Sequence, residues 1–145
     1  MMLYLDTSFL APLILEEATS EGVEEFFLDL SPGQLQISHW TRVEFASLVA
    51  REVRMGGLAE AEALLAIGQF DEIVAGSCQI LVPGAVDYEL AKSYVQNFAT
   101  KLRAGDALHL AIANNHGATM LCTLDEGLLA AARLLQIPAT KGIKP

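Results

Sequence analysis

Four acidic residues that lie far apart in the chain occupy positions a fold can bring together. Asp6 directly follows the apolar run Met2-Leu3-Tyr4-Leu5, and Asp125 follows the apolar stretch that ends at Thr123-Leu124. Glu44 falls in the first turns of a helical pattern that begins near Trp40, and Asp106 opens another that runs to about Asn115. An acid placed just after a strand reaches the C-terminal edge of its sheet. A helix that follows a strand starts at that same edge, which is where ligand sites collect in open parallel sheets. Gathered there, four carboxylates repel one another unless they are protonated or neutralised by a cation. An all-oxygen set suits a hard divalent ion such as Mg²⁺ or Mn²⁺. Such ions activate water and stabilise the charge of a phosphoryl transition state. Each acid also has a plainer reading. Asp106 and Asp125 would serve as helix caps, and Glu44 would serve as a solvated helix residue. Asp6 is harder to explain that way, because an acid next to Leu-Tyr-Leu is costly to hold near a core without a partner.

The elements that must position these residues alternate along the chain. Short apolar strands are expected at 2–5, 35–38, 79–82 and 118–123, with a further one at 137–140. Between them, helical spacing marks 9–15, 20–30, 40–54, 58–74, 86–98, 106–115 and 126–135. In the stretch from Trp40 to Arg54, Val43, Leu48, Val49 and Val53 are expected near one face. The breakers are Ser31-Pro32-Gly33, Gly56-Gly57, Pro83-Gly84 and Asn115-His116-Gly117. The two stretches flanking Gly56-Gly57 form a helical hairpin. Strands alternating with helices imply a parallel sheet covered on both faces, which is an α/β/α sandwich.

Composition narrows the class. A chain of 145 residues fits one domain with room for a core, and 52% apolar residues argue against intrinsic disorder. Asp6, Glu16 and Glu17 interrupt the apolar N-terminal run before it can span a bilayer, and no leader pattern precedes it. A cytoplasmic protein is the expectation. Cys78 and Cys122 make neither a disulfide framework nor a zinc spacing, and both are expected as buried free thiols. Nine basic residues against eighteen acidic ones give a net charge of -9. That balance is unlike a dedicated nucleic-acid binder. It suits a basic protein partner, or a nucleic-acid enzyme in which a cation neutralises the site.

Four segments together are similar to the PIN-domain family. They are Leu5-Asp6-Thr7-Ser8, Val43-Glu44-Phe45-Ala46, Gly105-Asp106-Ala107-Leu108-His109-Leu110-Ala111 and Thr123-Leu124-Asp125. They resemble in particular the VapC-type toxin ribonucleases of toxin-antitoxin pairs. The resemblance spans the chain in the family's motif order, and the segment after Gly105 is the most specific part. It implies a single PIN-like domain over residues 1–145 with a central parallel sheet in a three-layer α/β/α sandwich. The implied activity is a Mg²⁺- or Mn²⁺-dependent endoribonuclease, a hydrolase of RNA phosphodiester bonds. Asp6, Glu44, Asp106 and Asp125 would be its catalytic and metal-binding cluster, with Ser8 and Thr123 as supporting hydroxyls. The implied partners are an RNA substrate, a cognate antitoxin protein and a second copy of the chain in a homodimer. For the dimer, the Gly56-Gly57 hairpin is a candidate surface.

Grip on RNA would fall to local bases, with Arg42, Lys101 and Arg103 as candidates beside Arg51 and Arg54. The ordinary fate of such residues is a solvated helix surface. His109, three residues beyond Asp106, reads as a packed or hydrogen-bonded histidine, and His39 and His116 read as surface or capping residues. Trp40 reads as a packing residue, with base stacking as the alternative. Two other Mg²⁺-dependent classes fail on particular positions. A phosphate-signalling receiver wants an acceptor Asp after the middle strand, where Pro83-Gly84 stands. A haloacid-dehalogenase phosphatase wants a second acid two residues after Asp6, where Ser8 stands. A PIN-like module that binds RNA or protein without cutting remains the alternative reading.

Overall fold

The computed structural model describes residues 1–31 and 33–143; Pro32, in the expected break after Leu30, lies outside them. Leu3–Leu5 (β1) leads into the short helix Thr7–Leu10 (α1), a 3₁₀ turn at Ala11–Leu13, and the helix Ser20–Leu28 (α2). Leu35–Ser38 (β2) is followed by the hairpin of His39–Arg54 (α3) and Glu60–Ser77 (α4), and α4 runs straight into Cys78–Leu81 (β3). Ala85–Gln96 (α5), a 3₁₀ turn at Phe98–Thr100 and Ala104–Asn115 (α6) return the chain to Met120–Cys122 (β4). Glu126–Leu134 (α7) and Ala139–Thr140 (β5) complete the order.

Among the described residues all the strand pairings are parallel, and the five strands lie in the order β3-β2-β1-β4-β5. From β1 the chain winds outward through β2 and β3. It then crosses back to start the other half at β4, on the opposite side of β1. The crevice between β1 and β4 at their C-terminal ends is therefore the topological switch point of the sheet. Asp6 leaves β1 at that crevice, and Thr123 to Asp125 leave β4 beside it.

The period-2 alternation of each strand divides the core into two layers. Leu3 and Leu5 face one way, into a cluster with Ile37, Phe9, Phe45 and Phe70 from β2 and the helices α1, α3 and α4. Tyr4 faces the other way, towards Leu121, Leu110, Leu128 and Ala91 from β4 and the helices α6, α7 and α5. The expected three-layer α/β/α architecture is the one observed. In the α3–α4 hairpin, Phe45 and Phe70 stack with ring centroids 4.1 Å apart. Gly56 turns the hairpin at φ +80, a conformation that costs a side-chain-bearing residue energy.

Some boundaries and faces differ from the sequence expectation. The buried face of α3 is Thr41, Phe45 and Val49, at intervals of four residues, so Val43 points outward and is 58% exposed. Strand β3 begins one residue early at Cys78, because α4 delivers the chain to it without a loop. Cys78 is consequently only half-buried, whereas Cys122 is buried as expected. Helix α5 stops at Gln96, and Phe98 lies in the following turn, exposed to solvent.

Candidate functional site

The four acids line one cleft of about 690 Å³ at the switch point, together with Thr7, Ser8, Ser47, Arg51 and Arg54. Asp6 is its floor. The residue is 3% exposed, and its carboxylate is clamped from both sides. Ser8 donates to Oδ1 at 2.8 Å and Thr123 donates to Oδ2 at 2.6 Å. The Phe9 N–H also donates to Oδ1 at 3.1 Å, so Asp6 caps α1 as well. The two hydroxyls are fixed in turn, since the Leu124 N–H donates to Ser8 Oγ and the Asp125 N–H to Thr123 Oγ1. These bonds tie the loop after β4 to the loop after β1. Burial pushes the Asp6 carboxyl up, and the nearby charge of His109 and the three hydrogen bonds counter this only in part.

Glu44 reaches the cleft from the second turn of α3, which Ser38 and Thr41 cap reciprocally. Its Oε1 accepts from Thr7 Oγ1 at 2.6 Å and from His109 Nε2 at 2.5 Å. Burial would raise this carboxyl, but the His109 bond and charge, with the Thr7 bond, hold it below the ordinary range. Helix α6 can approach this closely because residue 105 is glycine. A Cβ there would stand 2.9 Å from Glu44 Oε2 and 3.2 Å from Trp40 Cζ2. Trp40 packs at this contact and donates its indole N–H to the Gly105 carbonyl at 3.2 Å.

Asp106 is not the cap of α6. Arg103 occupies the extended N-cap position, Ala104 and Gly105 are already helical, and Asp106 is the third residue. Its side chain faces the cleft, and among the described residues no hydrogen bond steadies it. Burial, then the charges of Asp125, Glu44 and Asp6, raise its carboxyl to about 6, against the opposing charge of His109. Asp125 does cap its helix, accepting from the Leu128 N–H at 2.9 Å, and it lines the cleft as well. For Asp125 the capping and site readings are both true.

The bases sort by helix face. Glu44, Ser47, Leu48, Arg51 and Arg54 fall on one stripe of α3, and all of them line the cleft. Arg42 lies on another face, 3.6 Å from Asp71 of α4 and bonded to His39. Lys101, in a left-handed turn, and Arg103, at the start of α6, are exposed and do not line the cleft. The three favoured basic candidates are thus outside the site, and the two secondary ones are inside it. Sequence reasoning missed Glu17, which also lines the cleft from an irregular stretch where no periodicity could place it. It missed the Thr7 bond to Glu44 too, because the two residues lie 37 positions apart and no local pattern pairs them. His109 is packed and hydrogen-bonded as expected, 1% exposed between Tyr4 and Glu44. His39 is exposed, and His116 ends α6 beside Asp87.

The donor set fits a hard divalent cation. It is all oxygen and faces one cleft, and the Asp106 carboxyl, raised first by burial and then by the neighbouring acids, would gain its negative charge more readily beside a cation. Among the described residues, no three His, Cys, Asp or Glu side chains form a ready-made metal cage. Mg²⁺ does not ask for one, since it keeps several waters and takes one or two protein carboxylates.

Comparison with known proteins gives the same fold. Residues 3–134 match the family model of the PIN domain. No curated protein matches the chain. Among solved structures, VapC20 of Mycobacterium tuberculosis, described as a sarcin-ricin loop cleaving toxin, is 20% identical with a TM-score of 0.70. That match covers 89% of this chain and 94% of the toxin. FitAcB from Neisseria gonorrhoeae is 20% identical with a TM-score of 0.72, over 97% of this chain and 98% of the other. VapBC-1 from nontypeable Haemophilus influenzae is 16% identical with a TM-score of 0.67, over 97% of both chains. At these identities the likeness is one of fold.

Proposed function

Because the chain belongs to the PIN domain family, we propose that it is a divalent-metal-dependent endoribonuclease acting as the toxin of a toxin-antitoxin pair. The observation that carries this reading is the convergence of Asp6, Glu44, Asp106 and Asp125 on one cleft at the switch point of the sheet. One or two of those carboxylates would hold Mg²⁺ or Mn²⁺ directly, and the others would face the waters it keeps. When bound, the cation lowers the pKa of a water and offsets negative charge growing on the phosphate during hydrolysis.

The chain's own residues do the positioning. Ser8 and Thr123 keep both Asp6 oxygens oriented, so a buried carboxylate stays available at the cleft floor. Asp106 and Asp125 face it from the starts of α6 and α7. Arg51 and Arg54 supply positive charge along the α3 wall, where an RNA strand leaving the acids would present its phosphates. The residues act as one PIN-like unit, and the antitoxin is a small protein whose basic or apolar C-terminal segment lies near or in the acidic cleft. The likeness to the solved VapBC-1 and FitAcB structures supports an antitoxin partner. A homodimer through the α3–α4 hairpin, where Leu64 and Leu65 are exposed, belongs to the same reading. No helix among the described residues is long and apolar enough to cross a membrane, which is compatible with the proposed cytoplasmic site of action.

The test is cleavage of mixed structured RNAs by the purified chain in EDTA, with Mg²⁺ or Mn²⁺ then restored. Cutting that stops in EDTA and returns with the ion is expected. Binding of Mn²⁺ and RNA without any cutting would instead favour a PIN-like binding module.

A further inference from the structure

We propose that His109 is a positioning residue for this cleft. Its imidazole commits one oxygen of Glu44 to the protein and leaves the other for a divalent cation. The inference rests on the reading above that the acids hold such an ion. His109 is 1% exposed, on α6, and it spans two other elements. Nε2–H donates to Glu44 Oε1 on α3 at 2.5 Å, and Nδ1 pairs with the Tyr4 hydroxyl of β1 at 2.7 Å. Tyr4 is anchored in turn, with its hydroxyl 2.9 Å from Ser38 Oγ at the cap of α3.

A ring held at both nitrogens has no freedom to turn, so the position of Nε2 is fixed by the sheet and by the start of α3. Thr7 Oγ1 donates to the same Glu44 oxygen at 2.6 Å, which fills Oε1 with two donors. Oε2 is left beside Gly105, with no hydrogen-bond partner among the described residues. A free glutamate on a half-open helix face loses considerable rotamer entropy when it is held in one place. Here His109 and Thr7 hold it there before any ion arrives. The Nε2–H of a buried histidine needs an acceptor, and the one it takes here is a carboxylate that lines the cleft rather than a backbone carbonyl. Partners that hold ligating carboxylates in this way change metal affinity by roughly 10–100-fold when removed.

The test is Mn²⁺ binding to the full chain by titration calorimetry, for wild type, His109→Leu, His109→Gln, Glu44→Gln and the double variant His109→Leu/Glu44→Gln. His109→Leu is expected to weaken Mn²⁺ binding by about 10–100-fold. His109→Gln, whose amide can donate where Nε2–H stood, should recover most of that loss. In the Glu44→Gln background, His109→Leu should cost nothing further, because its effect runs through Glu44. Unchanged Mn²⁺ affinity in folded His109→Leu overturns the proposal, and so does an equal loss in both backgrounds, the mark of a general packing effect. If His109→Leu does not fold, Tyr4→Phe replaces it, releasing the ring at its other nitrogen. Weaker Mn²⁺ binding is then expected, and wild-type affinity overturns the proposal. A wild-type chain that binds no Mn²⁺ overturns the cation reading itself, and this inference with it.

Discussion

Asp106 is the carboxylate on which its neighbours' charges weigh most. Asp6 has two hydroxyls and an amide around it, and Glu44 has an imidazole and a hydroxyl, but Asp106, half-buried beside three acids, has no hydrogen-bond donor among the described residues. Its carboxyl is raised from 3.8 to about 6, so between those pH values the folded chain binds a proton that the unfolded chain has released. In the ion-free protein, this contribution therefore destabilises the fold as pH rises through that window. Asp106→Asn removes the penalty. In urea unfolding with EDTA, the variant should exceed wild type at pH 7.5 by on the order of 1 kcal/mol, after allowing for solvent screening at this half-open site. Near pH 3.5 the two should converge, and a difference that ignores pH would contradict the assignment. The sequence made these acids legible because each sits at a strand end or helix start, positions that topology alone sends to one edge. Their individual partners were not legible. The bonds of Glu44 to Thr7 and His109 join residues 37 and 65 positions apart, and no local pattern encodes that pairing.

At the scale of elements, the site depends on how closely α6 approaches α3. Gly105 permits that approach, and the general helix preference for Ala over Gly provides a test. Gly68, exposed in the middle of α4, has open space where a Cβ would go, so Gly68→Ala should stabilise the chain by about 0.5–1 kcal/mol. Gly105→Ala gains the same propensity but drives a methyl into Glu44 and Trp40. It should instead lose about 1 kcal/mol net, because overpacking costs about 1–3 kcal/mol. Thermal unfolding of both variants checks this, and stabilisation by Gly105→Ala would show that α3 and α6 are not in tight contact. The alternation of strands and helices was legible from periodicity and breakers. What it could not fix was rotation. Val43 looked like a core residue because α3 carries apolar residues on more than one face. The core took Thr41, Phe45 and Val49 because Thr41 also serves the cap next to the buried Tyr4 hydroxyl.

At the scale of the molecule, a chain of net charge -9 that acts on RNA, as proposed, would have to attract that polyanion locally. The two arginines on the α3 stripe are the cations that line the cleft, whereas Arg42 is turned towards Asp71. Each phosphate contact on a single strand contributes about 0.7 to the slope of log affinity against log salt. With a fluorescent single-stranded RNA in EDTA, the double variant Arg51→Gln/Arg54→Gln should flatten that slope by about 1.4, and Arg42→Gln should leave it unchanged. An unchanged slope in the double variant would place RNA elsewhere on the surface. The sequence nominated five bases without ranking them by face: the rotation of α3 about its axis separates Arg51 and Arg54 from Arg42, and the turn before α6 keeps Lys101 and Arg103 off the cleft. The proposed chemistry depends most on the buried Asp6 carboxylate at the end of β1. The most direct measurement compares wild type with Asp6→Asn in Mn²⁺-supported cleavage of structured RNA, at equal folded concentration. Loss of cutting in Asp6→Asn, with wild type active and silenced by EDTA, is the predicted result. Equal cutting by both proteins would contradict it and place the activity outside this cleft.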